Sequence, residues 1–386
     1  MKIVIAPDSY KDALSARDAA AAIAAGCARV VSRDSLVECP MGDGGEGTLD
    51  ALLAATGAER RSARVHDALG RPTEAAWGWH ADSRTAYVEL AEASGLQPLR
   101  QDERSALHST TFGVGELIRA ALDTGAERLI LTLGGSATND AGAGMLEALG
   151  ARLLDNEGHP LPPGGAALAS LARLDLSGLD PRLASLAVDT AVDVDNPLLG
   201  ERGASAVFGP QKGATPEDVA RLDTALAHFA EHAADALGED HRTLAGAGAA
   251  GGMGFAAAAF LGARLKPGIE LVMEQVGFDR LLTEASLVIT GEGQLDGQSL
   301  SGKTPVGIAR LARRHGVPTV ALAGRLGDGW RAVHDEGIEA ALALADGPLP
   351  LPDALARTAS LLADRAETLV RLWQLGYRHG VHASSD

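Results

Sequence analysis

The chain has 386 residues, more than one hydrophobic core usually holds, which predicts two domains. Its net charge of -17 and its lack of a basic run argue against nucleic acid as a partner. An uncharged stretch between Arg242 and Arg264 is rich in Gly and Ala, so we expect a buried loop and helix there and no membrane span. Only 2 cysteines, and an N-terminus that reads as a strand, favour the cytoplasm.

Residues 1–56 alternate between strand and helix patterns. The short apolar run Ile3–Ala6 predicts a strand, and Ser15 can cap a helix over Ala16–Val31. Ser35–Cys39 predicts a second strand, and the next helix is expected over Thr48–Ala55. The N-terminal part of the chain therefore predicts a β-α-β-α order.

The same alternation returns near the C-terminus, where the pattern predicts strands Ser286–Thr290, Thr319–Ala323 and Ile338–Leu344 and helices Pro305–His315 and Asp353–Gly376. Strands that alternate with helices indicate a parallel sheet covered on both faces. Residues 65–285 instead mix alternating segments, Pro/Gly-rich stretches and helices. We therefore expect one α/β domain made from residues 1–64 and 286–386, with a second α+β domain, residues 65–285, inserted into it.

The sequence predicts four glycine-dense turns, at 41–48, 133–140, 246–254 and 290–296. Carboxylate or hydroxyl side chains lie in three of them, and the turn at 246–254 is almost wholly Gly and Ala. Glycine has no Cβ, so such a turn can adopt positive φ and bring backbone N–H groups close to a ligand. Four turns of this kind predict the wall of a site for an anionic, metal-bearing ligand such as a nucleotide with Mg²⁺.

Polar residues follow two of the predicted strands. Asp8, Ser9 and Lys11 come after the first strand, and Glu292 follows Ser286–Thr290. Ligands of open parallel sheets bind beyond the carboxyl ends of the strands, so we expect Asp8 and Glu292 at such a site. For the segment from Asp8 to Lys11, a solvated turn is the simpler alternative.

Ser136, Asn139 and Asp140 follow another predicted strand, Leu129–Leu133. Side chains of these types cap helices by accepting hydrogen bonds from free backbone N–H groups. They also suit a polar ligand, and both roles can hold together.

Two acidic segments are candidates for metal or proton chemistry. Asp43 and Glu46 lie among four glycines, more than a simple turn needs, which favours ligand binding. Asp193 and Asp195 are predicted on the same side of an extended segment. Paired carboxylates suit Mg²⁺ or a general base.

Two textual motif matches lack the structural context that their mechanisms require. Gly297–Thr304 fits the P-loop pattern, but no strand leads directly into it, so only Lys303 is kept as a phosphate contact. Gly246–Gly251 fits the dinucleotide fingerprint, but the residues before it do not read as a buried strand. Close helix packing is the alternative explanation for these glycines.

With these segments in place, the chain resembles the type I glycerate kinases over essentially its full length. The resemblance implies ATP-dependent phosphorylation of D-glycerate, to 2-phosphoglycerate in most members, in the catabolism of glycerate, glyoxylate or sugar acids. It also implies a flavodoxin- or Rossmann-like domain made from both chain ends. The matching blocks occur in order and are well spaced: Ile5–Ser15, Gly42–Thr48, Gly134–Asp140, Asp193–Leu198, Phe208–Gly213, Gly246–Gly254, Val288–Gly293 and Gly302–Lys303.

Together with the resemblance, these motifs give a hypothesis for the mechanism. Asp43 and Asp193 are expected to hold Mg²⁺, and Asp193 to take the hydroxyl proton, with Asp8 and Asp140 as rivals for that proton. Lys11 is expected to act on the substrate carboxylate or on the migrating phosphoryl group. The residues expected to bind the substrate are Asp8, Ser9, Lys11, Ser136, Asn139 and Asp140. Those expected to bind the ATP phosphates are Gly44, Gly45, Gly134, Gly135, Gly251, Gly252, Gly291, Glu292, Gly293 and Lys303.

Two other functions stay open at this point. Gly246–Gly251 would suit an NAD(P)-dependent hydroxy-acid oxidoreductase, and a non-catalytic sensor of sugar acids or nucleotides would bind without turnover. The sequence leaves the oligomeric state open, and also whether the 2- or 3-hydroxyl is phosphorylated.

Overall fold

The structure is a computed structural model that describes residues 1–383. Its strands are β1 Ile3–Pro7, β2 Leu36–Glu38, β3 Glu59–His66, β4 Pro72–His80, β5 Thr85–Glu89, β6 Arg128–Thr132, β7 Arg152–Leu154, β8 Arg173–Asp175, β9 Ala187–Ala191, β10 Arg264–Lys266, β11 Leu287–Leu295, β12 Thr319–Leu326 and β13 Ile338–Ala343.

Its helices are α1 Ala16–Cys27, α2 Thr48–Thr56, α3 Leu90–Ser94, α4 Phe112–Thr124, α5 Ala143–Ala148, α6 Ala204–Phe208, α7 Pro216–Leu237, α8 Ala249–Leu261, α9 Gly268–Val276, α10 Phe278–Leu282, α11 Thr304–Arg314, α12 Leu351–Ala356 and α13 Thr358–Ala383. None of these helices, over the residues described, is both long and apolar enough to cross a membrane.

The chain forms two compact units. The first unit contains 1–43, 50–57 and 272–386, and the second contains 44–49 and 58–271. The first unit is therefore built from both chain ends, and the second lies between them in sequence.

The first unit contains a five-stranded sheet in which every pair of neighbours is parallel, with the order β13-β12-β11-β1-β2. Numbered within the unit, this is the order 2-1-3-4-5 of flavodoxin-like folds. All five residues of β1 are buried, as expected for a central strand covered on both faces. The order reverses between β1 and β11, and the carboxyl ends of these two strands mark the topological switch point.

Helices cover both faces of this sheet. On one side α1 and α13 pack with β1 residues Ile3 and Ile5, and on the other side α11 packs through Val306 and Ala309. The two helices α1 and α13 approach closely, because a Cβ on Gly26 would lie 2.0 Å from the carbonyl oxygen of Ala363. Glycine is therefore required at that crossing.

The second unit contains a six-stranded mixed sheet with the order β10-β9-β6-β5-β4-β3. Strands β10, β9, β6 and β5 are parallel, and β4 and β3 continue the sheet in antiparallel fashion. A separate antiparallel pair joins β7 and β8. The predicted fold class is confirmed: a flavodoxin-like parallel-sheet unit comes from both chain ends, and an α+β unit is inserted.

One predicted turn is wrong. The glycine-dense segment 290–296 was expected as a loop after a short strand, but β11 continues to Leu295 and pairs with β12 as far as Leu326. A Cβ on Gly291 would lie 2.0 Å from the Leu322 carbonyl oxygen and 2.2 Å from the Tyr10 hydroxyl oxygen. Its glycine is needed for close packing inside a strand and not for a turn.

Candidate functional site

Asp8 lies at the switch point of the first unit. It directly follows β1, and its backbone N–H donates to the carbonyl oxygen of Gly291 at 2.8 Å. The Thr304 hydroxyl at the start of α11 donates to one carboxylate oxygen, and the Ser9 N–H donates to the other at 2.6 Å. Two chain segments separated by almost 300 residues therefore hold this carboxylate between them.

Acidic groups are crowded around Asp8. Burial, together with the charges of Asp43 and Glu292, raises the pKa of Asp8 to about 7, although the Thr304 hydrogen bond lowers it. Burial also raises the pKa of Glu292 to about 7, although the Ser299 hydroxyl donates to its carboxylate at 2.7 Å. We name Asp8, Asp43, Glu292 and Lys303 the switch-point cluster. Burial brings the pKa values of Asp8 and Glu292 close to neutral pH, and the neighbouring acidic charges add to both shifts.

Lys303 supplies positive charge to this cluster and lowers the pKa of Glu292. It is the residue before α11, so it lies beside the free N–H groups of a helix N-terminus, where anions are stabilised. The P-loop pattern of which it is part does not form a P-loop, because a 3-10 helix, Gly297–Ser301, follows Asp296, and the Thr304 hydroxyl bonds Asp8.

The turn that carries Ser9 and Lys11 is fixed by its neighbour Tyr10. The Tyr10 hydroxyl donates to the Leu322 carbonyl oxygen at 2.6 Å, and Tyr10 and Leu14 exchange backbone hydrogen bonds. Lys11 is exposed and forms no ion pair with any residue that the structure describes. A Cβ on Gly293 would lie 3.3 Å from the backbone nitrogen of Lys11, so this glycine leaves room for the turn.

In the second unit, two of the predicted glycine loops pack against each other. The Gly134 N–H donates to the Gly44 carbonyl oxygen at 3.0 Å, and a Cβ on Gly134 would lie 2.4 Å from the Gly45 Cα. Gly135 has a φ of 73°, and a Cβ there would lie 2.6 Å from the Glu46 side chain. No side chain fits at Gly134 or Gly135, so close packing between the two loops accounts for glycine at both positions.

Glu89, which the sequence analysis missed, anchors the first of these loops. Its two carboxylate oxygens accept from the Gly47 N–H at 3.0 Å and the Leu49 N–H at 2.8 Å. These N–H groups lie at the start of α2, where a carboxylate satisfies donors that the helix leaves free. The position of Glu89 at the end of β5 was the only sequence signal.

Asp193 lies beside the same loop. Its Oδ1 accepts from the Gly268 N–H at 2.8 Å, and a Cβ on Gly44 would lie 3.5 Å from its Oδ2. Asp195 does not join it, because its carboxylate bonds the exposed Arg202 guanidinium at 3.0 Å. Asp195 is thus engaged by Arg202, and Asp193 remains the candidate in this segment.

Asp140 and Asn139 are buried under the turn that follows β6. Asp140 accepts four hydrogen bonds, from the N–H groups of Thr111, Gly142 and Gly144 and from the Thr111 hydroxyl. Burial raises the pKa of Asp140, and these donors lower it. The Asn139 amide nitrogen donates to Ser205 at 2.9 Å, whereas its Oδ1 has no partner among the described residues.

The third predicted glycine loop packs against this turn. Ala250, Gly251 and Gly252 have left-handed φ values of 52°, 70° and 92°, so the regular part of α8 begins after them. A Cβ on Gly251 would lie 1.9 Å from the Thr138 carbonyl oxygen. No strand precedes this segment between α7 and α8, so the structure has no dinucleotide-binding βαβ unit there.

The predicted site residues thus form one group in each unit. The first unit holds the residues Asp8, Ser9, Lys11, Asp43, Gly291, Glu292, Gly293 and Lys303. The second unit holds the glycine-loop cluster, which comprises Gly44, Gly45, Gly134, Gly135, Ser136, Asn139, Asp140, Asp193, Gly251 and Gly252. Lys212, which the sequence analysis did not assign a role, is buried against this second cluster, with its Nζ 2.7 Å from the Thr138 carbonyl oxygen.

Among the described residues, no group of three or more His, Cys, Asp or Glu side chains is arranged to hold a metal ion alone. The carboxylates present still suit Mg²⁺, which is usually held by one or two carboxylates, water and substrate phosphates. A magnesium ion that enters with a nucleotide fits this donor set better than a resident metal.

Comparisons with known proteins agree on one family. The model of the glycerate kinase family matches residues 3–374. Glycerate kinase of Bacillus subtilis (strain 168) is 48% identical over 369 residues, covering 96% of this chain and 97% of that protein. Glycerate 2-kinase of Escherichia coli (strain K12) is 48% identical over 340 residues, covering 88% of this chain and 89% of that protein.

A solved structure is similar as well. A crystal structure described as glycerate kinase 2 from Salmonella typhimurium LT2 matches with a TM-score of 0.89 and 45% sequence identity, covering 98% of this chain and 99% of that one. The similarity in sequence and in fold therefore extends through both units.

Proposed function

This chain belongs to the glycerate kinase family, and we propose that it transfers the γ-phosphoryl group of ATP–Mg²⁺ to the 2-hydroxyl of D-glycerate. The products would be 2-phospho-D-glycerate and ADP. The observation that carries the proposal is the switch-point cluster, where acids short of positive charge lie beside Lys303 and the N-terminus of α11. Such a cluster suits a ligand that brings both anionic phosphates and a cation.

Phosphoryl transfer is catalysed mainly by positioning and by charge stabilisation. We assign Lys303 and Gly291 to Gly293 to the phosphates, and Asp43 and Asp193 to Mg²⁺ through carboxylate oxygens or water. Lys11 is assigned to the anionic part of the acceptor or to the phosphoryl group in flight. Ser9 lies on the same Tyr10-anchored turn and would bind the substrate with it.

For the general base we favour Asp8 over Asp193. An effective base has a pKa near the working pH, and burial raises the pKa of Asp8 to about 7. Its carboxylate takes the hydroxyl proton as the hydroxyl oxygen attacks the γ-phosphorus and the bond to ADP breaks. Asp193 remains the alternative, and substituting each residue separately distinguishes them.

In the second unit, the glycine-loop cluster contains polar side chains that can bind the substrate. We assign Ser136 and the Asn139 Oδ1, which has no partner in the part of the chain that the structure describes, to substrate oxygens and hydroxyls. Gly44, Gly45, Gly134, Gly135, Gly251 and Gly252 hold these loops in shape and are assigned to the nucleotide phosphates through their backbone. Asp140, with four donors already bonded, would act on the substrate through the turn that it fixes.

The test is ³¹P NMR of the purified protein with ATP, Mg²⁺ and D-glycerate. The expected result is ADP together with 2-phospho-D-glycerate, and a reaction without glycerate is the control. A 3-phosphoglycerate signal would overturn the regiochemistry alone. Glycerate binding without ADP would favour a sensor, and reduction of NAD(P)⁺ by glycerate would favour an oxidoreductase.

We also propose that the protein acts in the cytoplasm, in the catabolism of organic acids that yield glycerate. Its cysteines Cys27 and Cys39 are free and buried, which is typical of a reducing compartment.

A further inference from the structure

Lys212 is a buried cation without an ion-pair partner in the described chain. It ends the 3-10 turn Pro210–Lys212 and is 2% exposed. Its Nζ donates to the Thr138 carbonyl oxygen at 2.7 Å and to the Ser136 hydroxyl oxygen at 3.4 Å. Burying an ammonium group is costly unless it is hydrogen-bonded or paired. The contacts that offset this cost all belong to one turn, the turn that contains Ser136.

The hydrogen bonds of Ser136 can be counted. Its Oγ accepts from the Thr138 N–H at 3.1 Å and from Lys212 at 3.4 Å, which uses both lone pairs. Its own hydrogen must therefore point away from Lys212. Among the described residues, its acceptors are Thr138 Oγ1 at 3.0 Å and the Ala250 carbonyl oxygen at 3.5 Å, which is the outer limit of a hydrogen bond.

A second feature of this turn also indicates a ligand. The Asn139 Oδ1 is buried and has no partner among the described residues, although its amide nitrogen donates to Ser205. A buried acceptor without a donor is costly, so a hydroxyl or N–H group of a bound molecule would stabilise it. The turn therefore offers a hydroxyl whose hydrogen points away from Lys212 and an acceptor that no described residue uses.

We infer that Lys212 is a positioning residue, which turns the Ser136 hydroxyl so that it donates to an anionic oxygen of the bound ligand. This inference rests on the proposed function, because that ligand would be either the carboxylate of D-glycerate or a phosphate of ATP. The two share the chemistry of an anionic oxygen, and separate Michaelis constants distinguish them.

The inference predicts a dependence on the charge of Lys212. As an ammonium group it only donates, but as a neutral amine it also accepts, so the Ser136 hydrogen can turn toward it and away from the ligand. Burial lowers the pKa of Lys212 to about 7, and the charge of Asp140 opposes this shift. A second charged group, Arg104, contacts the turn that carries Lys212, with its Nη1 3.5 Å from the Gln211 carbonyl oxygen. Ligand affinity should therefore fall as the pH rises above about 7.

The experiment compares the wild type with K212M, K212R and S136A from pH 5.5 to 9. It measures kcat and the KM values for D-glycerate and for ATP, and thermal melting reports folding. K2M is the matched control, because Lys2 pairs with Glu284 at the surface. We expect K212M and S136A to raise the KM of one substrate about 10-fold at pH 6.5. In the wild type that KM should rise above pH 7, and in K212R, which stays charged, the rise should disappear.

A K212M protein with lower thermal stability but unchanged KM values and pH profile would overturn the inference and leave Lys212 a structural residue. If K212M does not fold, the S136A variant and the wild-type pH profile test the inference instead. Wild-type KM values that stay constant from pH 6 to 9 for both substrates would overturn the inference. A wild type that forms no ADP would refute the proposed function and the inference with it. Wild-type turnover with kinetically silent Lys212 and Ser136 variants would refute the inference alone.

Discussion

Two carboxylates, one in each unit, have pKa values raised by burial but have opposite surroundings. Asp140 in the second unit receives four hydrogen bonds from a single turn and its neighbour Thr111. Asp8 in the first unit receives two and faces the charges of Asp43 and Glu292. The four donors partly offset the cost of burying Asp140, whereas Asp8 has fewer donors and neighbouring acids that add to its cost. A costly carboxylate of the second kind is typical of functional sites.

The largest expected effect comes from Asp8→Asn. If Asp8 is the base, kcat should fall about 1,000-fold, within the range typical of general-base removal. The raised pKa means that the native state binds this proton more tightly than the unfolded chain. The native state therefore loses stability as the pH rises from 3.8 to about 7. The variant, which lacks this charge, should melt no lower than the wild type at pH 8.

Steady-state ADP release and thermal melting check this prediction, with the exposed Asp12→Asn as control. A kcat within fivefold of the wild type would remove Asp8 from the base role and return it to Asp193.

The reverse outcome is expected for Asp140→Ala. Its loss leaves buried donors of Thr111, Gly142 and Gly144 without acceptors, so the free energy of unfolding should fall by about 3 kcal/mol or more. Urea denaturation measures this change, and Asp195→Ala, on an exposed ion pair, should change the unfolding free energy by about 0.5 kcal/mol or less. Equal stability losses in the two variants would contradict a structural role for Asp140.

A smaller effect is expected for Asp193→Asn. Asparagine keeps an oxygen that can accept from the Gly268 N–H but removes the charge offered to Mg²⁺. The apparent KM for ATP–Mg²⁺ should rise about 10-fold, by analogy with the loss of one charged contact, and added Mg²⁺ should partly restore it. Asp195→Asn is the neighbouring control. An unchanged Mg²⁺ dependence would exclude Asp193 as a metal contact.

The smallest effect is a shift in the pH profile of Thr304→Val. The Thr304 hydroxyl bond lowers the pKa of Asp8, so its removal should raise that pKa above about 7. The acid limb of kcat/KM, which reports the ionised base, should then move to higher pH by about one unit or less. Thr283→Val, at an exposed hydroxyl, is the control. If the acid limb does not move, the ionisation of Asp8 does not control kcat/KM, and Asp8 is not the general base.

The periodic parts of the fold could be predicted from the sequence, because they depend on local pattern. Strand β1 was expected over Ile3–Ala6 and found over Ile3–Pro7, and the helix capped by Ser15 begins where expected but ends at Cys27. The parallel sheet followed from the alternation of strands and helices. The length of β11 could not be predicted, because its glycines are typical of a turn in the sequence. Only the structure shows that Leu322 and Tyr10 pack so closely on Gly291 that no side chain fits there.

The residues that were missed act across long distances in sequence. Thr304 bonds Asp8 across 296 residues, and Lys212 bonds Thr138 across 74. No local pattern reports such a pair. The candidate acids and glycines were found because they cluster in the sequence, but which of them stabilise loops is visible only from their hydrogen bonds.

The pairing of β1 with β11 has a consequence for biosynthesis. Ile3 pairs with Leu287, so β1 has no neighbour on that side until β11, far along the chain, has been translated. Residues 58–271 can complete their own sheet in the meantime, since all six of its strands lie within that span. Domains generally fold as units during synthesis. Strand β1 is therefore synthesised long before its neighbour β11, and during that interval it stays open to chaperones and proteases on that side.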